Sequence, residues 1–174
     1  EPLNLVLFSG TDDKLNAAAV LTAGAAALGR PVHVFLQYWA LEAFRADRIA
    51  ADHGLAPEAG EAGRRAVDDL RAAGQAPWAE TIRQAKELGG VDIQACSLSM
   101  DLLHLEQADL DPLVDDVEGV TAFYLAAGNG PGPASPPATS CSTPPLAVTS
   151  MVGAGWSEPA PPINENTSPP VSLQ

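Results

Sequence analysis

A 174-residue chain with 22 acidic and 9 basic residues, and a formal net charge of −13, lacks the basic footprint that a nucleic-acid backbone requires. Its 46% hydrophobic content is inflated by alanine, and its longest nearly apolar run, Ala17 to Leu28, falls short of the ~20 residues needed to cross a bilayer. Two cysteines, Cys96 and Cys141, make no disulfide framework, so a reducing cytoplasm is the expected compartment.

In chain order, "LNLVLFS" (Leu3–Ser9) alternates and then runs apolar, which predicts a buried strand. No basic region precedes it, and no signal peptide is read there. A turn at Gly10-Thr11 leads into a helix over 13–28, capped by Thr11 or Asp12 and closed by Gly29. "PVHVFLQ" (Pro31–Gln37) predicts a second strand, so the first crossover makes a right-handed βαβ unit with parallel strands. A helix over 39–48 follows, then a glycine-dotted connector and a charged helix over 64–73. Pro77 starts another helix, with Trp78, Ile82 and Ala85 on one face and Gly89 at its end. "VDIQAC" (Val91–Cys96) predicts the third strand, followed by a short helix capped by Ser97 or Ser99. Residues 114–117 predict a fourth strand and 119–127 a final helix. The pattern implies an α/β three-layer sandwich with an open, mainly parallel sheet over residues 1–127. Residues 128–174 are rich in Pro, Gly and Ser and hold only two charges, Glu158 and Glu165. Such a segment is expected to be a disordered tail that adds no further strand.

Open parallel sheets bind ligands beyond the carboxyl ends of their strands. Three such ends are legible: Ser9-Gly10-Thr11, Gln37-Tyr38-Trp39 and Cys96-Ser97. Cys96 therefore draws attention as a thiol where a strand becomes a helix. A helix start favours thiolate, the nucleophilic form, although a small buried cysteine needs no role at all. "SGTDDK" lacks the spacing of a phosphate loop, and Asp12 and Asp13 would repel phosphate. Gly10 and Thr11 could still offer backbone N–H groups to a small anion. Tyr38 and Trp39 could wall a pocket or anchor a neighbour. His33, His53 and His104 are too scattered for a metal site, so no metal and no cofactor are expected. Cys141 lies in the proline-rich tail and is a poor resolving partner for Cys96.

"LVLFSGTDDKLNAAAVLTAGAAALG", "VHVFLQYWAL", "IQACSLSMDLL" and "VEGVTAFYLAA" occur in an order that resembles the DsrE/DsrF/DsrH-like family. Within it they are most similar to the DsrE2-type branch, often labelled peroxiredoxin family protein. The resemblance spans Leu3 to Ala127. It implies a cytoplasmic sulfur carrier, sulfurtransferase-like, that works as a homo-oligomer between sulfur donor and acceptor proteins. It makes Cys96 the persulfide-bearing residue, with Ser9, Gly10, Thr11, Trp39, Ser97 and Met100 lining its pocket, and the strand-end position adds Tyr38 to them. Neither nucleic acid nor membrane is an expected partner. A non-catalytic oligomeric scaffold and a thiol-based redox sensor or peroxidase are the alternatives. The peroxiredoxin P-x-x-x-T-x-x-C pattern is absent around Cys96, and the connector after the second strand lacks the methionines common in that branch.

Overall fold

The computed structural model describes residues 1–128 and the pair 149–150. The chain builds a parallel sheet in the order β4-β3-β2-β1-β5. Its strands are β1 (Leu3–Leu7), β2 (Val32–Leu36), β3 (Val91–Cys96), β4 (Asp116–Glu118) and the two-residue β5 (Thr149–Ser150). Every pairing between them is parallel. The helices are α1 (Asp12–Ala27), α2 (Trp39–Ala43), α3 (Gly60–Ala72), α4 (Trp78–Leu88), α5 (Ser97–Leu103) and α6 (Val120–Gly128). They lie on both sides of the sheet, as the expected three-layer sandwich requires.

Side-chain alternation divides the sheet into two unlike faces. On the first, Leu5, Leu7, Val32, Val34, Leu36, Ile93 and Ala95 are buried beneath Leu15, Ala18 and Ala19 of α1 and Trp78, Ala79 and Ile82 of α4. The alanines matter because a short side chain lets α1 lie close to both the sheet and α4. Each fully buried Leu, Ile or Val contributes about 1.5–3 kcal/mol. The second face carries Asn4, His33, Asp92 and Gln94 among a few apolar residues. Its small core joins Phe35 and Cys96 to Phe123 of α6, with Val6 packed against them.

Local chemistry explains most helix boundaries. After α1, Gly29 adopts φ +66, and its N–H and that of Arg30 bond back to Ala26 and Ala25. Pro77 is the N-cap of α4, so the helix starts at Trp78, one residue later than expected, and Gly89 ends it at φ +90.

Several elements differ from the sequence reading. The helix predicted over 39–48 stops at Ala43. The chain turns there because Phe44 is buried, and Arg45 forms an antiparallel bridge to Leu110. The charged helix begins earlier, at Gly60 after a 3-10 turn at Pro57–Ala59. β4 sits two residues later than predicted, because Asp115 N–H bonds to Ile93 and pairing starts at Asp116. Cys96, not Ser97 or Ser99, occupies the N-cap position of α5, and its side chain makes no capping hydrogen bond. A strand does follow the last helix, since Thr149–Ser150 pairs with Leu5 and Val6 of β1. The expectation of disorder in the tail, and Cys141 with it, lie otherwise outside the described residues.

Candidate functional site

Cys96 occupies the carboxyl end of β3 and points to the second face of the sheet, as Asp92 and Gln94 do. Register puts Cys96 opposite Glu118 of β4. Leu36 pairs with Ala95, so Gln37 follows beside Cys96 on the other flank. The Gln37 amide Nε2 donates to Cys96 Sγ at 3.8 Å, a sulfur-length hydrogen bond. Glu118 is half-buried, and its Oε2 is a buried acceptor with no hydrogen-bond partner among the described residues. The row Gln37–Cys96–Glu118 thus sets a donor and an acceptor on either side of the thiol.

Two aromatic rings roof this row. Phe123 stacks on Phe35 with centroids 4.7 Å apart and planes 14° apart. With them in place Cys96 is only 1% exposed. The thiol expected at a ligand-binding strand end is therefore a sheltered one. Burial arises from a contact between β2 and α6, far apart in sequence and invisible to local patterning.

The other predicted site residues divide into three groups. Ser9, Gly10 and Thr11 end β1, and β2 lies between them and Cys96. Two strand spacings separate the loop from the thiol, about 10 Å. Much of the loop's hydrogen bonding is internal. Ser9 Oγ lies 3.2 Å from Thr11 Oγ1, Thr11 N–H donates to Ser9 Oγ, and Asp12 N–H donates to the Gly54 carbonyl. A methyl group on Gly10 would run into the Trp39 carbonyl oxygen, so the β1 and β2 loops meet at this glycine.

Tyr38 and Trp39 form the second group, at the end of β2. Tyr38 has φ +48, a strained conformation for a residue with a side chain, and its ring stacks on Phe8. Trp39 is 64% exposed. The third group belongs to α5. Ser97 is half-buried next to the thiol, whereas Met100 is buried in the core of the first face. Gln37, Phe35, Glu118 and Phe123 were not singled out in the sequence. Only the run of three strand ends hinted at Gln37.

A groove of about 790 Å³ lies away from the thiol, between α3 and the N-terminal turns of α1 and α4. Trp78, Ile49 and Leu70 line it with Asp12 and Arg71. Asp12 is only 5% exposed. Burial pushes its carboxyl above the usual aspartate value, although the His53 N–H and Arg71 oppose this. Burial pushes Asp13 the same way, but the Thr11 hydroxyl and the Ala56 N–H outweigh it and hold that carboxyl below its usual value. The groove lining holds no cysteine, serine or threonine, so it offers carboxylates but no thiol or hydroxyl nucleophile. Among the described residues no cluster of His, Cys, Asp and Glu could hold a metal, and no helix is long and apolar enough to cross a membrane.

Comparison with known proteins agrees with the β1–α1–β2 geometry. Residues 1–59 match the model of the DsrE/DsrF/DrsH-like family. Uncharacterized protein YrkE of Bacillus subtilis (strain 168) is 31% identical over 149 residues, covering 72% of this chain and 91% of that protein. The chain belongs to the DsrE/DsrF/DrsH-like family. The solved structure of MTH1491, a protein of unknown function from Methanobacterium thermoautotrophicum, aligns with 72% of this chain and 90% of its own at 16% identity, with a TM-score of 0.37. The stretch that matches the DsrE/DsrF/DrsH-like model contains the Ser9–Thr11 loop, Gln37 and Trp39. It ends before Cys96, so the arrangement around the thiol rests on this chain's own geometry.

Proposed function

We propose that this protein carries sulfane sulfur as a persulfide on Cys96, taking it from a donor protein and passing it to an acceptor. The observation that carries this reading is the Gln37 amide aimed at Cys96 Sγ in a DsrE-like chain, at a strand end where open α/β sheets bind their ligands. A thiolate attacks the outer sulfur of a donor, and a neutral N–H donor supports the anion that forms. Phe35 and Phe123 keep water and oxidants away from the loaded sulfur between transfers. Exposed Trp39 and half-exposed Tyr38 offer donor and acceptor a landing surface, with Ser97 at its inner edge. Ser9, Gly10 and Thr11 hold the β2 loop in place, and Met100 anchors α5 from the other face. The protein acts in the cytoplasm as a homo-oligomer. The test is mass spectrometry of the intact protein after incubation with a persulfide donor. One added sulfur on Cys96, lost in Cys96→Ser, supports the reading, and a wild type that stays unloaded sinks it.

The 1% exposure of Cys96 favours a second reading, a non-catalytic scaffold whose cysteine only fills space. Native-state alkylation separates the two. A carrier's thiol is labelled in the folded protein, whereas a scaffold's is labelled only on unfolding.

A further inference from the structure

We infer that Glu118 is the proton acceptor and donor for Cys96 during sulfur transfer. The inference rests on the carrier reading above and names the residue that moves its proton.

The argument starts from strand register. Cys96 and Glu118 are paired positions on adjacent parallel strands, so both side chains leave the same face side by side. The Oε2 atom of Glu118 is buried and accepts no hydrogen bond among the described residues, an arrangement that is costly unless something else offsets it. The paired Cys96 does not hydrogen-bond to this oxygen at rest, and the inference is that the thiol proton crosses to it during transfer. The Gln37 amide already points at the sulfur from the opposite flank, so Glu118 has the proton side of the thiol to itself.

The other ionisable groups around the thiol are engaged or placed elsewhere. On β3 itself, Asp92 accepts from Gln94 Nε2 at 2.8 Å and faces His33 Nδ1 of β2 at 3.5 Å. On β4, exposed Asp116 pairs with Gln94, and its Oδ1 accepts its neighbour's N–H. β1 presents uncharged Asn4 and Val6 on this face. α5 carries exposed Asp101, and α6 contributes the phenol of exposed Tyr124 beside Phe123. Glu118 is the one carboxylate in the row of the thiol.

The step balances without an oxidant. Glu118 takes the Cys96 proton, and the thiolate attacks the outer sulfur of a persulfide R–S–SH. The S–S bond of the donor breaks as a new one forms on Cys96. The departing thiolate takes back the proton held by Glu118 and leaves as R–SH.

The test uses the whole chain and two probes. Loading with glutathione persulfide follows the transfer, and iodoacetamide alkylation across pH follows the thiol alone. Glu118→Gln is expected to slow loading about tenfold at neutral pH without slowing alkylation, because loss of a neighbouring negative charge does not disfavour the thiolate. Glu118→Asp, a carboxylate set one methylene back, is expected to load at a rate between wild type and Glu118→Gln. A carboxylate that merely repels the thiolate gives the opposite sign, with faster loading of Glu118→Gln. That result, or equal loading rates in all three proteins, overturns the inference while leaving the carrier reading intact. A wild type that takes up no sulfur removes the carrier reading, and the role of Glu118 with it.

Discussion

The two faces of the sheet are made by the same strands, yet they do different work. The first is aliphatic and shut under α1 and α4. The second alternates polar groups with Val6, Phe35 and Cys96, and among the described residues Phe123 of α6 is its principal cover. A parallel strand buried on both sides would read as one continuous apolar run. "VDIQAC" does not, because Asp92 and Gln94 interrupt it. The difference teaches that stability is concentrated on one side of the sheet, which frees the other to hold groups that a dry core would reject.

Core truncation gives the sharpest contrast between the faces. Leu15 of α1 is fully buried in the first face, and Leu15→Ala is expected to cost about 2–5 kcal/mol. Asp116 is exposed on the second face, and Asp116→Ala should stay within about 0.5 kcal/mol. Urea denaturation measures both. Equal losses would erase the division.

Phe123→Ala comes next and sharpens the comparison at the thiol. Removing the ring that stacks on Phe35 opens the roof over Cys96. Native-state alkylation is expected to rise about tenfold, with a stability loss of about 3 kcal/mol. An unchanged labelling rate would mean that something other than Phe123 shelters the sulfur.

Much of this division was legible in the sequence. Period-2 alternation placed β1, β2 and β3, and glycines marked where α1 and α4 end. Cys96 stood out because a strand pattern stops at it and a helix pattern begins. The shelter over Cys96 could not be read, since Phe35 and Phe123 meet only after β2, β3 and β4 have paired. Gln37 looked like an ordinary polar loop residue, because its role depends on a neighbour 59 positions away. Helix α2 looked longer than it is. Its apolar spacing continues through Phe44, but the bridge from Arg45 to Leu110 takes over the backbone there.

A smaller effect tests how the two loop ends share space. Gly10→Ala drives a methyl against the Trp39 carbonyl oxygen, which is backbone and cannot swing aside. The expected cost is about 1–3 kcal/mol in urea denaturation, with the alkylation rate of Cys96 unchanged because β2 separates loop and thiol. A large change in that rate would show that the β1 loop reaches the second face after all.

The smallest expected effect concerns pH and belongs to the first face. Asp12 and Asp13 are neighbours with opposite shifts. Asp12 is raised in the folded protein, so the unfolded chain gives up this proton first. Its contribution to stability is full below the ordinary aspartate value of 3.8 and is lost as pH rises through the higher folded value. Asp13 is lowered, so its contribution is present above 3.8 and is lost as pH falls through the depressed folded value. The two act in adjoining pH windows, Asp13 below 3.8 and Asp12 above it, and single substitutions should separate them. In urea midpoints taken across acidic pH, Asp12→Asn gains on the wild type as pH rises, because the amide keeps an acceptor for the His53 N–H without the buried charge. Asp13→Asn loses ground over the same rise, because the Ala56 N–H and the Thr11 hydroxyl then meet a neutral group. Parallel pH profiles for the two variants would mean that Arg71 compensates Asp12 fully despite the exposure of its guanidinium, and that burial of this carboxylate carries no cost.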